Sequence, residues 1–261
     1  MNQITVVKIG GNVIDSPAAL TRFLTAFAGL SGSKVLVHGG GKIATQIAEK
    51  LGIVTTMVEG RRITDGPMLD VVTMVYGGLV NKQIVAQLQA LGVNAIGLTG
   101  ADAGLVKATK RPVAAIDYGF VGDIREVDSG RLQAFISQGL VPVFAPLTFD
   151  PELGTLLNTN ADTMAQALAV DMVGHNEVTL VYCFEKRGVL SNPEDDDSVI
   201  SQLTPALYAE HKAAGSIYKG MIPKLDNAFT ALNAGVKRVI ICHADETGAA
   251  LAGTAGTVVQ K

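Results

Sequence analysis

Lys34-Val35-Leu36-Val37-His38-Gly39-Gly40-Gly41-Lys42-Ile43-Ala44 is the stretch on which the reading of this chain turns. The apolar run Val35–Val37 predicts a short strand, three glycines break it, and Lys42-Ile43-Ala44 opens a helix-compatible segment. Glycines at such a turn let backbone N–H groups approach an anion with no Cβ in the way, and a helix N-terminus adds partial positive charge. The turn is therefore a candidate cradle for phosphate or carboxylate. A second turn of this kind follows Val6-Val7-Lys8-Ile9, at Gly10-Gly11-Asn12. Two glycine turns, each after a strand, predict a shared anionic site.

Outward from these turns, strand-like runs recur at 5–9, 34–37, 95–98, 140–144, 178–183 and 238–242, with helical patterns over 16–30, 43–51, 67–91, 129–138, 161–170 and 225–234. Short, nearly continuous apolar strands alternating with helices predict an α/β fold, a three-layer αβα sandwich with an open, mainly parallel central sheet. The 67–91 segment is apolar on more than one side, so it is either internal or part of a subunit interface. Residues 106–122 read as a small β excursion. Asn192–Ser198, NPEDDDS, reads as a solvated loop and lacks the spacing of a calcium site.

Composition narrows the class of function. Across 261 residues, 48% hydrophobic and 17% charged residues with 29 glycines describe a compact fold rich in tight turns. A net charge of −3 and the absence of a basic stripe interleaved with aromatics give no reason to expect nucleic acid. Cys183 and Cys242 lie in apolar strand-like runs and read as buried thiols, and neither they nor the scattered His38, His175, His211 and His243 have metal-ligand spacing. No signal peptide and no apolar run of membrane-spanning length is evident, so no membrane partner and a cytoplasmic location are expected.

Gly39-Gly40-Gly41-Lys42-Ile43-Ala44 also fits the G-x-G-x-x-G/A dinucleotide fingerprint, with Glu59 placed about twenty residues on as a ribose-binding acid would be. That fingerprint usually opens the first βαβ unit, whereas here a strand, glycine turn and helix precede it. The HGGG loop of esterases fails because no G-x-S-x-G follows, and a Walker A loop fails on glycine spacing and on Ile43 after Lys42. Other polar signals point to phosphoryl transfer. Leu157-Asn158-Thr159-Asn160-Ala161-Asp162 sets two amides and a carboxylate at a helix start, where Asn160 could equally be a plain N-cap. Lys224 follows Pro223 at another helix start, and Lys8, inside an apolar strand, needs an anionic partner if buried.

With Lys8-Ile9-Gly10-Gly11-Asn12, His38-Gly39-Gly40-Gly41, Gly60-Arg61-Arg62-Ile63-Thr64, Asn158–Asp162 and Gly220-Met221-Ile222-Pro223-Lys224 in order, nearly the whole chain resembles the amino acid kinase family. Within it the likeness is to the branch that phosphorylates N-acylated glutamate in arginine biosynthesis. The resemblance implies transfer of the γ-phosphoryl group of ATP, with magnesium, to the side-chain carboxylate of N-acetyl-L-glutamate or another N-acylglutamate such as N-succinylglutamate. It implies an N-terminal lobe over 1–172 for the acyl amino acid and a C-terminal lobe over 173–261 for the nucleotide. By motif position Lys8 and Lys224 would stabilise the transferring phosphoryl group and Asp162 would orient both. Gly40, Gly41, Arg62, Asn158 and Asn160 would hold the acylglutamate, and Gly10, Gly11, Glu185, Gly188, Leu190, Ser216, Tyr218 and Met221 the nucleotide.

Two departures from the family pattern matter. Phe184-Glu185 stands where related kinases usually have a Ser/Thr-Asp pair. Nothing precedes the first strand, where arginine-inhibited relatives carry an extra helix, so the expectation is a homodimer through the 67–91 helix without arginine feedback. An NAD(P)-dependent oxidoreductase is the alternative from a different class, and a non-catalytic amino-acid sensor on the same fold a third, one expected to have lost Lys8 or Lys224.

Overall fold

The computed structural model describes residues 2–58, 60–217 and 221–261. The chain forms two compact units, one of residues 1–34 with 165–261 and the other of residues 35–164. A single cut at 172/173 is not how the chain divides. The reason is β1 (Asn2–Ile9), which pairs in parallel along its whole length with a strand at 176–184 and so ties the N-terminus to the C-terminal half. Helices α1 (Gly11–Asp15) and α2 (Pro17–Ala28) follow it.

The chain then enters the second unit through β2 (Ser33–His38) and α3 (Gly41–Lys50). A hairpin of β3 (Met57–Val58) and β4 (Arg61–Arg62) precedes α4 (Gly66–Val72), a π-helical segment Thr73–Val80 and α5 (Asn81–Ala90). After these come β5 (Ala95–Leu98), β6 (Val106–Lys110), β7 (Gly122–Val127), α6 (Ser129–Ser137), β8 (Val141–Phe144), β9 (Leu147–Asp150), β10 (Thr155–Asn158) and α7 (Ala161–Asp171). Here β2 and β5 flank β8, all parallel, and β10-β9-β6-β7 make a second, mixed sheet with a bulge between Lys107 and Ala108.

Back in the first unit run β11 (Asn176–Phe184), β12 (Gln202–Leu203), α8 (Pro205–Ala213), α9 (Ile222–Asn233), β13 (Arg238–His243), α10 (Thr247–Leu251) and β14 (Thr257–Val259). The strand order is β12-β14-β13-β11-β1, parallel except where β14 meets β13. Open, mainly parallel sheets with intervening helices are thus the architecture the alternating pattern predicts. The six strand runs and six helical runs read from sequence are all present. What the pattern did not foretell are α1, β3, β4, β9, β10, β12, β14, α8 and α10, which are short or half-exposed and so carry little periodic signal.

The 67–91 segment is helical, running Gly66–Ala90 with its middle wound as a π-helix through Gly77-Gly78. Met68, Val71, Val72, Val75, Tyr76, Val80, Ile84 and Leu88 are buried, while Met74 and Leu79 lie exposed. The excursion at 106–122 resolves into β6 and the start of its antiparallel partner β7. In the acidic loop Asp196 pairs with Lys186 at 2.7 Å and Asp197 with Arg187 at 2.9 Å, exposed ion pairs of small energetic weight. Both cysteines are buried, with sulfurs 3.9 Å apart on paired strands.

One buried charge belongs to the framework. Lys34 Nζ donates to the carbonyls of Phe27 (2.9 Å), Ala28 (2.8 Å) and Leu30 (2.8 Å), so its ammonium closes the C-terminal end of α2 and spends all three donors there. Lys34→Met keeps the stem and strands those carbonyls. It should lower unfolding stability by roughly 2 kcal/mol and the Tm by about 4–8 °C, checked by calorimetry against the wild type.

Candidate active site

In the first unit the glycine turn after β1 is built on the neighbouring strand. Gly10 N–H donates to the Cys183 carbonyl at 3.2 Å, and α1 begins one residue later. Lys8, only 7% exposed, extends along this turn: its Nζ lies 3.9 Å from where a Gly10 Cβ would sit. A cation and the first turn of a helix are therefore placed together, the chemistry that receives a phosphate.

The other residues expected around the nucleotide sort less evenly. Lys224 is half-buried in the first turn of α9, entered through Met221, which is buried, and Pro223. Gly188 and Leu190 are held by the fold itself. A Cβ at Gly188 would come 2.7 Å from Thr257 Oγ1 and 2.8 Å from Val199 Cγ1, and Leu190 bridges to Val199. Ser216 Oγ donates to the His211 carbonyl at 3.1 Å and closes the end of α8. Glu185 is exposed just after β11. Tyr218 and Gly220 lie outside the described residues, as does Glu59.

The second unit carries the triple glycine, and the strand, turn and helix expected there are β2, Gly39-Gly40 and α3. Gly40 has φ +148°, a backbone that L side chains rarely adopt, and its Cβ would come 3.1 Å from the Tyr76 ring. Tyr76 stands on the π-helical segment, and burial raises its pKa, opposed by the adjacent Arg62. Arg62, 8% exposed on β4, reaches the same turn. Its Nη2 donates to Gly41 O and Thr45 Oγ1, both at 2.9 Å, and its Nη1 to Thr55 Oγ1 at 3.3 Å. Side chain and turn thus hold each other.

The Asn158–Asp162 motif divides into separate jobs. Asn158, at the end of β10, donates to Thr64 Oγ1 at 2.9 Å. The Asn160 side-chain oxygen accepts from Asp162 N (2.8 Å) and Thr163 N (3.1 Å), so this residue is the N-cap of α7, which accounts for it without a ligand. Asp162, 8% exposed, sits in the first turn of that helix, the end where a carboxylate is favoured. Thr159 turns inward and shares a 2.8 Å bond with Thr148.

His38 and Asn81 were not singled out in sequence as site residues. His38 is fully buried at the end of β2, with Nδ1 2.7 Å from Gly39 O and Nε2 3.1 Å from Asn81 Nδ2. Asn81 Nδ2 also donates to Val143 O at 2.9 Å, and Asn81 Oδ1 accepts from Lys82 Nζ at 3.2 Å. The signal available was the Asn81-Lys82 pair in the middle of a segment apolar on more than one side.

Open parallel sheets whose strands end in glycine turns, with cations and helix starts beside them, suit an enzyme that handles phosphoryl groups. A family model described as the amino acid kinase family matches residues 3–243. Acetylglutamate kinase of Cytophaga hutchinsonii is 58% identical over 246 residues, 94% of this chain and 93% of that one. Acetylglutamate kinase of Phocaeicola vulgatus is 54% identical over 259 residues, 99% of each. A solved structure from Streptococcus mutans superposes with a TM-score of 0.81 at 27% identity, covering 98% of both chains. The chain belongs to the amino acid kinase family and is a kinase that phosphorylates a carboxylate. The dinucleotide alternative is not supported: the family match spans the fingerprint itself.

His38 also gives a pH dependence whose sign is set by its surroundings. Burial pulls its pKa down from 6.5 to about 4, with the Lys82 charge adding to the shift and the bond to Gly39 opposing it. The folded state thus holds the neutral ring while the unfolded chain takes up a proton below pH 6.5. Stability is full above that pH and falls as pH drops toward about 4, by on the order of 3 kcal/mol. Urea unfolding across this window should show that loss in the wild type, and His38→Asn should lack the part due to His38.

Proposed function

We propose that this protein transfers the γ-phosphoryl group of magnesium-ATP to the side-chain carboxylate of N-acetyl-L-glutamate, a step of arginine biosynthesis. The observation that carries the reading is the near-full-length likeness to acetylglutamate kinases. Local geometry supports it on each side of the reaction. In the first unit, Lys8 beside the Gly10-Gly11 turn and Lys224 at the start of α9 suit the phosphoryl group, with Met221, Glu185 and Ser216 toward the nucleotide. In the second, Arg62 and the Gly40-Gly41 turn with Asn158 suit an acylated amino acid. Asp162 is assigned the orienting carboxylate, and Asn160 serves by capping its helix.

The chemistry asks for these groups. Bringing a carboxylate to a triphosphate sets anion against anion, and a loose phosphoryl-transfer transition state requires positioning and neutralisation more than covalent help. Arg62 would receive the substrate carboxylate by exchanging its long bond to Thr55, since a guanidinium binds carboxylates through a fixed fork of donors. Magnesium enters with the nucleotide as part of the substrate. Among the described residues no helix is long and apolar enough to cross a membrane.

Hydroxylamine trapping of the acyl phosphate, with magnesium-ATP and a panel of glutamate, N-acetylglutamate and N-succinylglutamate, tests the function and names the acyl group. Hydroxamate from N-acetylglutamate is expected; none from any member would defeat the proposal. In the same assay Lys8→Ala and Lys224→Ala should each lose at least roughly a hundredfold in turnover, about 3 kcal/mol of transition-state stabilisation. Wild-type turnover in either variant would remove that lysine from the mechanism.

The chain is further proposed to work as a homodimer through the Gly66–Ala90 helix, whose Met74 and Leu79 are 54% and 42% exposed. A second copy would cover both. Sedimentation equilibrium should give twice the chain mass, and Met74→Glu should shift it toward the monomer; a wild-type monomer would end the idea.

A further inference from the structure

A buried His–Asn pair at the triple-glycine turn is not needed to fill space. Burying two polar side chains carries a desolvation cost that their bond to each other and their bonds to backbone carbonyls offset. What the pair adds is direction. Asn81 Nδ2 donates to a backbone carbonyl, Val143 O, which fixes which end of the amide faces inward. That amide must then donate to His38 Nε2, so the imidazole carries its proton on Nδ1 and gives it to Gly39 O at 2.7 Å. The carbonyl of the Gly39–Gly40 peptide is thereby turned toward the ring. Since that peptide is trans, the Gly40 N–H points the opposite way, away from the imidazole.

The fold makes room for this arrangement. Asn81 is anchored across the ends of the three adjacent parallel strands β2, β8 and β5: to His38 on β2, to Val143 on β8, and against Gly97 on β5, where any Cβ would collide with Asn81 Oδ1. Lys82 Nζ completes the group, donating to Asn81 Oδ1 and, at 3.1 Å, to Gly97 O. A tie that aligns the carboxyl ends of parallel strands acts where α/β proteins bind their ligands.

We infer that His38 and Asn81 are positioning residues that hold the Gly39–Gly40 peptide so that the Gly40 N–H is presented to the acyl amino acid substrate. The inference rests on the function proposed above. It separates this pair from residues that merely stabilise the unit, because its effect falls on one substrate and not the other.

Kinetics on the full chain test it. His38→Leu should raise the KM for the acylglutamate about tenfold, the effect of one lost oriented hydrogen bond, and leave the KM for ATP unchanged. His38→Asn, whose amide can still donate to Gly39 O, should recover most of the loss. Turnover in the wild type with an unshifted acylglutamate KM in His38→Leu would overturn this inference alone, as would an equal loss toward both substrates. A wild type without turnover would defeat the proposed function and this inference with it. If His38→Leu does not fold, nitrogen NMR of the wild type decides: an Nδ1-protonated neutral ring is expected, and an Nε2-protonated ring or an imidazolium at neutral pH would overturn it.

Discussion

The second unit of this protein depends on one backbone constraint, the positive φ of Gly40 beside the Tyr76 ring. A side chain there would be strained and would press on the ring, so the residue must be glycine. Because the chain can turn so sharply, β2 ends and α3 begins with almost no loop. The same turn then presents Gly41 O to Arg62 at the start of α3.

Tyr76 reaches that position through an unusual helix. Between α4 and α5 the backbone winds as a π-helix, wider than an α-helix and frequent at functional sites. Gly77 and Gly78 lie within it, and a Cβ at Gly77 would already touch Leu147 Cδ1 at 3.4 Å and Thr99 Cγ2 at 3.6 Å. The helix passes close to the strands it covers at this point. Its registry sets Tyr76 against Gly40 and, one turn later, Asn81 against the strand ends.

Burial of polar groups sorts the remaining residues by role. Lys34 spends all three donors on carbonyls at and just beyond the end of α2, and Asn160 spends its oxygen on a helix start, so both are explained by the framework. Lys8, Arg62 and Asp162 are equally buried but stand beside glycine turns or at a helix N-terminus, where charge serves a ligand as readily as the fold. The desolvation cost of such groups is why they are few and why each carries information about function.

The local chemistry of the chain was legible without coordinates. Alternating apolar runs led to parallel strands and helices, because a strand buried on both faces must be apolar throughout. The glycine turns, Lys8 and the asparagine motif stood out because apolar strands rarely carry lysine, turns of this kind rarely carry three glycines, and a helix cap needs only one amide; Arg62 and Lys224 took their roles from the resemblance of their motifs to the amino acid kinase family. Which residues lie together was beyond the sequence. That β1 belongs with β11 is a matter of register between segments more than 160 residues apart, and that Asn160 is a cap follows from where α7 begins. The His38–Asn81 tie, with 43 positions between its members, exists only once the sheet brings β2, β5 and β8 side by side. Sequence periodicity reports what one segment buries, whereas the partners of a buried polar group are chosen by packing between segments, and that is decided in three dimensions.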